Sequence, residues 1–486
     1  MLKICFKTLF ETVIIQNFII MVNLSKYKAL TDLIRANSDF QIRNDKVFCQ
    51  ICTKGFKYLP KEGVAPLTKH LRSFTHISAK KINDGKKQSE LVFSHEKSNK
   101  YSEFDKDLVE AFCAANIPFK KIGNPKMKFF LEKYCKIFVK SESFYRKFIL
   151  DDIYKSKITD LYLKYRNIPI YLIFDEATTI TGRSILNILI GQCGEYLLSP
   201  KLISVVDIDK TNAEVINQRI IGTLTQLYGG NINYSLLRLL VSDAAPYAVK
   251  AGKMLKLLFP KLKHVTCLCH MLHRLCETIR QNCTKLDSFM ADFKRIFIKN
   301  NQEEFIKNTQ IKLPKFPVLT RWGTWIECAS YIFKNYAILL NFFNSNPTIY
   351  CQLSIVFENE TLINQLRFVN NCQFITEAIN KLENEAIRTE EQVKILLKVI
   401  SKVHEDNDVV LVKKMSALIK KNPDLNFFLT YNAVTCGIEE KLFEYVPLVS
   451  ASAERSFSLL KILFTERRTN LTPDNLEKLL ILYYNK

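Results

Sequence analysis

The stretch IYLIFDEATTITGRSILNILIG, residues 170–191, decides the reading of the chain. Ile170 to Phe174 is an unbroken run of β-favouring apolar residues that ends at Asp175. Thr181-Gly182 supplies turn chemistry, and a second apolar run follows from Ser184 to Gly191. Two such runs around a turn predict paired, buried strands, the first with a carboxylate at its tip. Leu202–Asp207 predicts a third strand, and Thr211-Asn212 caps a helix to about Tyr228. A fourth strand, Leu237–Ser242 (LRLLVS), ends at Asp243, and a helix follows Pro246. Lys263–Cys267 predicts a short fifth strand, with a long helix to about Cys283.

Three strands, helix, strand, helix, strand, helix is the order of an RNase H-like α/β core, in which the first and fourth strands are neighbours. Asp175 and Asp243 are therefore expected at one end of the sheet. A third acid, Glu454, lies in SASAERSFSLLK (450–461), which predicts a half-buried helix. Three carboxylates at strand ends and on a facing helix suit hard divalent ions, Mg²⁺ or Mn²⁺. A metal pair stabilises the attacking and leaving oxygens of phosphoryl transfer. Between the second and third acids, the chain from about Tyr331 to Phe443 reads as helical throughout.

Cys49, Cys52, His70 and His76 give the spacing C-x2-C-x17-H-x5-H. Two thiolates on a hairpin and two imidazoles on a following helix, Pro66–His76, make a closed tetrahedral Zn²⁺ set and hence a structural site. Lys69 and Arg72 flank His70 and are suited to DNA phosphates or base edges. Such fingers also bind proteins.

The 486 residues carry 70 Lys+Arg against 48 Asp+Glu, a net charge of +22. This excess favours polyanions, above all nucleic acid. With 48% hydrophobic residues the chain is expected to fold. Its 14 cysteines read as reduced thiols outside the finger. Val13–Val22 is apolar but too short to span a bilayer and is interrupted by Gln16 and Asn17. It has the form of a signal peptide, yet a dispensable extension before Met21 fits the basic body better. No membrane partner is expected. The expected organisation is an extension (1–40), a BED-like or C2H2-type finger (41–82), a Lys/Ser-rich linker (83–103) and a helical region (104–165). An RNase H-like core (166–330), a helical insertion (331–440) and a C-terminal region completing the core (441–486) follow. Within 104–165, Asp105–Asn116 places Leu108, Phe112 and Ala115 on one helical face, and Ile117-Pro118 stops the helix.

Four segments carry a resemblance to the hAT transposase superfamily: residues 174–191, 239–277, 319–331 and 446–480. The last, VPLVSASAERSFSLLKILFTERRTNLTPDNLEKLL, is the most specific and is similar to the hAT C-terminal dimerisation region. The finger and residues 101–134 resemble a hAT-derived triplet-repeat-binding protein. The resemblance implies that Asp175, Asp243 and Glu454 form a catalytic acidic triad. It implies that Trp322 of the Arg321-Trp322 pair stacks on a flipped base. Cys267 and His270 match a supporting CxxH element, and Phe457 and Leu460 lie in a dimer or domain core. It also implies a homodimer or higher oligomer. The insertion looks shorter than in active members, and no clear BED aromatic signature precedes Cys49.

Blander readings stand beside these. Cys267, His270 and His273 fit a satisfied core histidine with buried thiols better than a second zinc site, and Trp322 and Trp325 fit ordinary core. The leading expectation is a nuclear, zinc-dependent, DNA-binding, transposase-like protein with Mg²⁺-dependent strand cleavage and transfer. The alternatives are a catalytically silent DNA-binding transcription regulator and a nuclear protein-interaction scaffold.

Overall fold

The computed structural model describes residues 28–43, 46–52, 54–57, 63–73, 75–77, 80, 101–194, 199–299, 302–318, 323–345, 347–384, 387–432, 437–464 and 471–486. The chain divides into two compact units, Met1–Lys100 and Tyr101–Lys486. Residues 1–27 of the expected extension, including Val13–Val22, residues 83–100 of the expected 83–103 linker and the Arg321-Trp322 pair lie outside the described residues.

In the first unit, helix α1 (Lys28–Ala36) precedes an antiparallel sheet of β1 (Phe40–Arg43), β2 (Lys46–Cys49) and β3 (Lys54–Phe56), followed by α2 (Ala65–Leu71). So small a sheet buries little, and Leu30, Phe40, Val47 and Leu67 form its core. The expected Pro66–His76 helix is two pieces, because α2 ends at Leu71 and His76 N–H bonds instead to the Ser73 carbonyl (3.1 Å).

The second unit opens with α3 (Glu103–Ala114), α4 (Pro125–Cys135) and α5 (Leu150–Tyr165). Helix α3 begins two residues before the expected Asp105 because Ser102 and Asp105 form a reciprocal capping box. Asp105 is 1% exposed; its carboxylate accepts from Ser102 Oγ (2.8 Å), Tyr145 Oη (2.9 Å) and Lys140 Nζ. Burial pushes this carboxyl up, but the bonds from Lys140, Ser102 and Tyr145 outweigh it and hold the pKa below the usual range.

The sheet comprises β4 (Ile170–Thr178), β5 (Ser184–Gln192), β6 (Lys201–Ile208), β7 (Leu237–Ser242) and β8 (Lys263–Thr266), in the order β6-β5-β4-β7-β8. The first three strands are antiparallel, and β7 and β8 add in parallel. Parallel neighbours need crossovers, here α6 (Ala213–Tyr228) and α7 (Pro246–Leu258), and α8 (Leu268–Asn282) follows β8. The Asn212 side chain caps α6 through Val215 N–H (2.8 Å), as expected. Helix α7 lies close on β8 because Gly252 leaves room; a Cβ there would stand 2.1 Å from His264 Nδ1. Asp175 is not at a strand tip. Strand β4 continues past it to Thr178, which pairs with Ser184.

The helical part begins earlier than Tyr331, with α9 (Thr284–Lys299) and α10 (Gln302–Thr309). It continues through α11 (Thr324–Lys334), α12 (Tyr336–Ser345), α13 (Pro347–Phe357), α14 (Glu360–Asn371), α15 (Gln373–Leu382), α16 (Thr389–Glu405) and α17 (Val409–Lys421). Phe289, Phe293, Phe343 and Phe357 interlock at its centre, with ring centroids 5.0–6.4 Å apart. Finally α18 (Ala451–Leu463) and α19 (Pro473–Tyr484) return to the sheet.

Both open edges of the sheet are closed by side-chain amides. Asn422 accepts from Thr266 N–H and donates to Thr266 C=O, both at 2.9 Å. Two residues on, the Asp424 carboxylate accepts from His264 N–H (2.7 Å), and Asp424 N–H donates to His264 C=O (3.0 Å). At the far edge, Asn485 does the same for Leu202 (3.0 and 2.7 Å). An amide side chain offers the same donor and acceptor as a peptide, so each asparagine stands in for a missing strand.

Asn422→Ala leaves a buried N–H and C=O unpaired and should cost about 2–4 kcal/mol, read as a lower urea midpoint. A depressed carboxyl pKa stabilises fully above its unfolded value and ceases to as pH falls through the folded one. The midpoint deficit of Asp105→Asn should therefore be largest near neutral pH and shrink as pH drops below the ordinary value of 3.8. A deficit independent of pH would place the cost in packing rather than charge.

Candidate metal centres

The β2–β3 hairpin presents Cys49 and Cys52, α2 presents His70, and the short helical piece after it presents His76. Their four ligand atoms lie within 4.8 Å of one another, and the group could hold a metal ion such as zinc. His76 Nδ1 lies 3.4 Å from Cys49 Sγ and 3.5 Å from Cys52 Sγ. The edge of a tetrahedron with Zn–S and Zn–N bonds of ordinary length is about 3.6 Å. His70 Nε2 is buried with no hydrogen-bond partner among the described residues, as a ligand nitrogen would be. Burial and the neighbouring His76 and Lys54 hold the His70 pKa down, which keeps the imidazole neutral for ligation. The Phe56 ring packs on His70 (4.9 Å) and Phe40 stands at 6.2 Å. These aromatics come from β3 and β1, which the sequence pattern before Cys49 did not signal.

Asp39 completes this centre and was missed in the sequence. Its carboxylate takes His76 Nε2 at 3.2 Å and Lys80 Nζ at 2.6 Å. That contact fixes which His76 nitrogen faces the thiols. No spacing rule marks a carboxylate ten residues before the first cysteine. Lys69 and Arg72 are both exposed beside His70.

In the second unit, register brings two predicted acids together. Ile173 pairs with Val241 across parallel strands β4 and β7, and Asp175 and Asp243 each lie two residues further on. Glu454 arrives on the first turn of α18. The ligand atoms of Asp175, His270 and Glu454 lie within 4.8 Å of one another, a group that could hold a metal ion. Asp243 is not part of that close group. It is near enough that its charge helps to raise the carboxyl pKa values of Asp175 and Glu454. His270 thus stands among the acids themselves, a more direct place than support.

The electrostatics are those of crowded, buried acids. Burial pushes the Asp175 carboxyl well above its usual range, and the Glu454 and Asp243 charges add to this while His270 opposes it. Burial also raises Asp243, against the Ala245 amide, His270 and Arg274. Burial opposes protonation of His270, but Cys267, Asp175 and Glu454 carry its pKa up to about 9. Burial would raise the Cys267 thiol, yet hydrogen bonds with Cys269, His270 and Ser450 bring it well below the ordinary value.

Cys267 precedes α8 as its N-cap, rather than sharing a helical face with His270. Its sulfur accepts from Ser450 N–H at 3.2 Å, and Leu268 N–H donates to Leu448 C=O at 3.0 Å. The same segment is clamped from α16. Thr389 and Gln392, both buried, bond Val446 and Leu448 at 2.8–3.1 Å. Glu454 then reaches His270 at 3.7 Å. Neither polar clamp residue carries a sequence signal.

Beside Glu454 opens a groove of about 470 Å³, lined among others by Phe316, Asn380, Glu383, Glu454, Arg455 and Ser458. Phe457 and Leu460 are buried within this one chain, on the helix whose Ser456 accepts from Asn187 of β5 (2.7 Å). They are core rather than free surface. Trp325 is mostly buried, and its Nε1 donates to Asp287 (2.8 Å). Among the described residues, no helix is long and apolar enough to cross a membrane.

No model of a known protein family matches the chain, and no curated protein matches it.

Removing a carboxylate behind a ligating histidine typically costs 10–100-fold in metal affinity. Asp39→Ala should weaken zinc binding by about that factor in a chelator competition, with Cys49→Ser as the reference for a broken site.

Proposed function

We propose that the chain is a hAT transposase-like, zinc-dependent DNA-binding protein with an RNase H-like core that cuts DNA in a metal-dependent reaction. The observation that carries this reading is that Glu454 stands close to Asp175, while the register of parallel strands β4 and β7 sets Asp243 at the same level. A five-stranded mixed sheet, three antiparallel strands extended by two parallel ones, supports this reading. The net charge of +22 suits a phosphate-rich partner.

In this reading Asp175, Asp243 and Glu454 would hold Mg²⁺ or Mn²⁺, which when bound would stabilise charge on the attacking and leaving oxygens. The protein's own part is positioning. Cys267 and Ser450 hold His270 between Asp175 and Glu454, and the Thr389–Gln392 clamp fixes the approach of α18. The groove beside Glu454 gives a strand room, and Arg455 there offers a phosphate contact. The finger, with Lys69 and Arg72 outward, supplies DNA affinity, and nuclear residence and self-association accompany the reading. Asp243 outside the close group and His270 within it favour a second reading, a DNA-binding regulator that cuts nothing.

Purified protein with Mn²⁺ and DNA selected for binding should nick it, and Asp243→Asn or Glu454→Gln should reduce nicking to the metal-free level while DNA affinity persists. Undiminished nicking by both variants would overturn the triad. Tight, salt-sensitive binding without nicking by the wild type would establish the regulator instead.

A further inference from the structure

Helix α4 and the residues after it carry a surface that neither metal centre uses. Phe129, Phe130, Tyr134 and Phe138 are 54–73% exposed, while Leu131 anchors the opposite side of the helix in the core. Four large rings in water within ten residues are unusual for a surface with no partner. Lysines interleave them. Lys133 Nζ lies 5.0 Å from the Tyr134 ring centre and 6.0 Å from that of Phe129, and Lys128 Nζ lies 4.8 Å from that of Phe138. The Phe130 and Tyr134 rings lie 5.0 Å apart. From Ile117 to Lys140 the sequence holds seven lysines and one acid, Glu132; Lys140 is engaged by the buried Asp105 and Lys128 lies 3.7 Å from Glu132, so the surplus rests on the others.

We propose that this face binds single-stranded DNA, with unpaired bases stacking on the exposed rings and the phosphates running along the lysines. Charge decides the occupant. An apolar protein surface laid on the rings would strip water from the adjoining ammonium groups without replacing it. A polyphosphate strand complements them and releases counterions. Duplex DNA hides its base faces, whereas an unpaired strand offers one to each ring, and stacking of this kind tolerates any sequence. The choice of DNA over RNA rests on the reading given under Proposed function. The ring-stacking geometry does not.

The test compares fluorescein-labelled oligo(dT), a duplex of equal length and oligo(U), by anisotropy with the full-length protein. Phe129→Ala/Tyr134→Ala should weaken oligo(dT) binding at least about tenfold and leave duplex binding unchanged. Lys133→Gln should lower the slope of log K against log salt for oligo(dT) by about 0.7. Both rings are exposed, so an unchanged thermal melt confirms that the variant is folded. Wild-type affinity of the double variant for oligo(dT), or an equal loss on duplex, overturns the proposal. So does a preference for oligo(U). If the double variant instead shifts from dimer to monomer in sedimentation with oligo(dT) affinity intact, the face pairs with a second copy. Wild-type binding to duplex but not to oligo(dT) removes this face alone, whereas binding to neither removes the DNA reading with it.

Discussion

The parallel pairing of β4 with β7 is the constraint on which the second unit depends. A parallel neighbour cannot be reached by a tight turn, so the chain must leave the sheet and return through a helix. That crossover places β7 beside β4 in a register that sets Asp175 and Asp243 at one level. It also leaves β6 and β8 as edges with unpaired peptide groups. Two distant pieces of the chain satisfy them: Asn422 and Asp424 after α17, and Asn485 at the C-terminal end of α19. The helical part and the C-terminal helices are thus fastened to the sheet by backbone bonding as well as by packing.

A second consequence is electrostatic. Carboxylates set together in a buried place repel one another and lack water, so their charged forms are costly. In this structure His270 takes up part of that cost, and Cys267, held by the Ser450 amide, keeps the imidazole charged and oriented. A divalent ion would meet the same demand more fully. The arrangement is therefore coherent both as a metal centre and as a satisfied ionic cluster.

Much of the sheet was legible because strand signals are local. Apolar runs such as Ile170–Phe174 and Leu237–Val241 are short, β-rich and bounded by turns or helix caps, and each became a strand. The Cys49, Cys52, His70 and His76 group was legible because ligand spacing is a sequence property. Asp39, Thr389, Gln392 and Asn422 were not, since a polar residue becomes a clamp only through the distant backbone it meets. The end of β4 was misjudged for a related reason. Asp175 looks like a terminator in one dimension, but pairing of Thr178 with Ser184 carries the ladder past it.

Most strands and helices, the Cys/His group that could hold zinc, the basic charge and the identity of the three acids can be read from the amino-acid order, because each is written in neighbouring residues. That His270 stands with Asp175 and Glu454 while Asp243 lies just outside follows from the folded arrangement alone. That outcome depends on strand register and on how α18 is held against α8. Both are set by buried hydrogen bonds between residues far apart in the chain, whose energies no local pattern records.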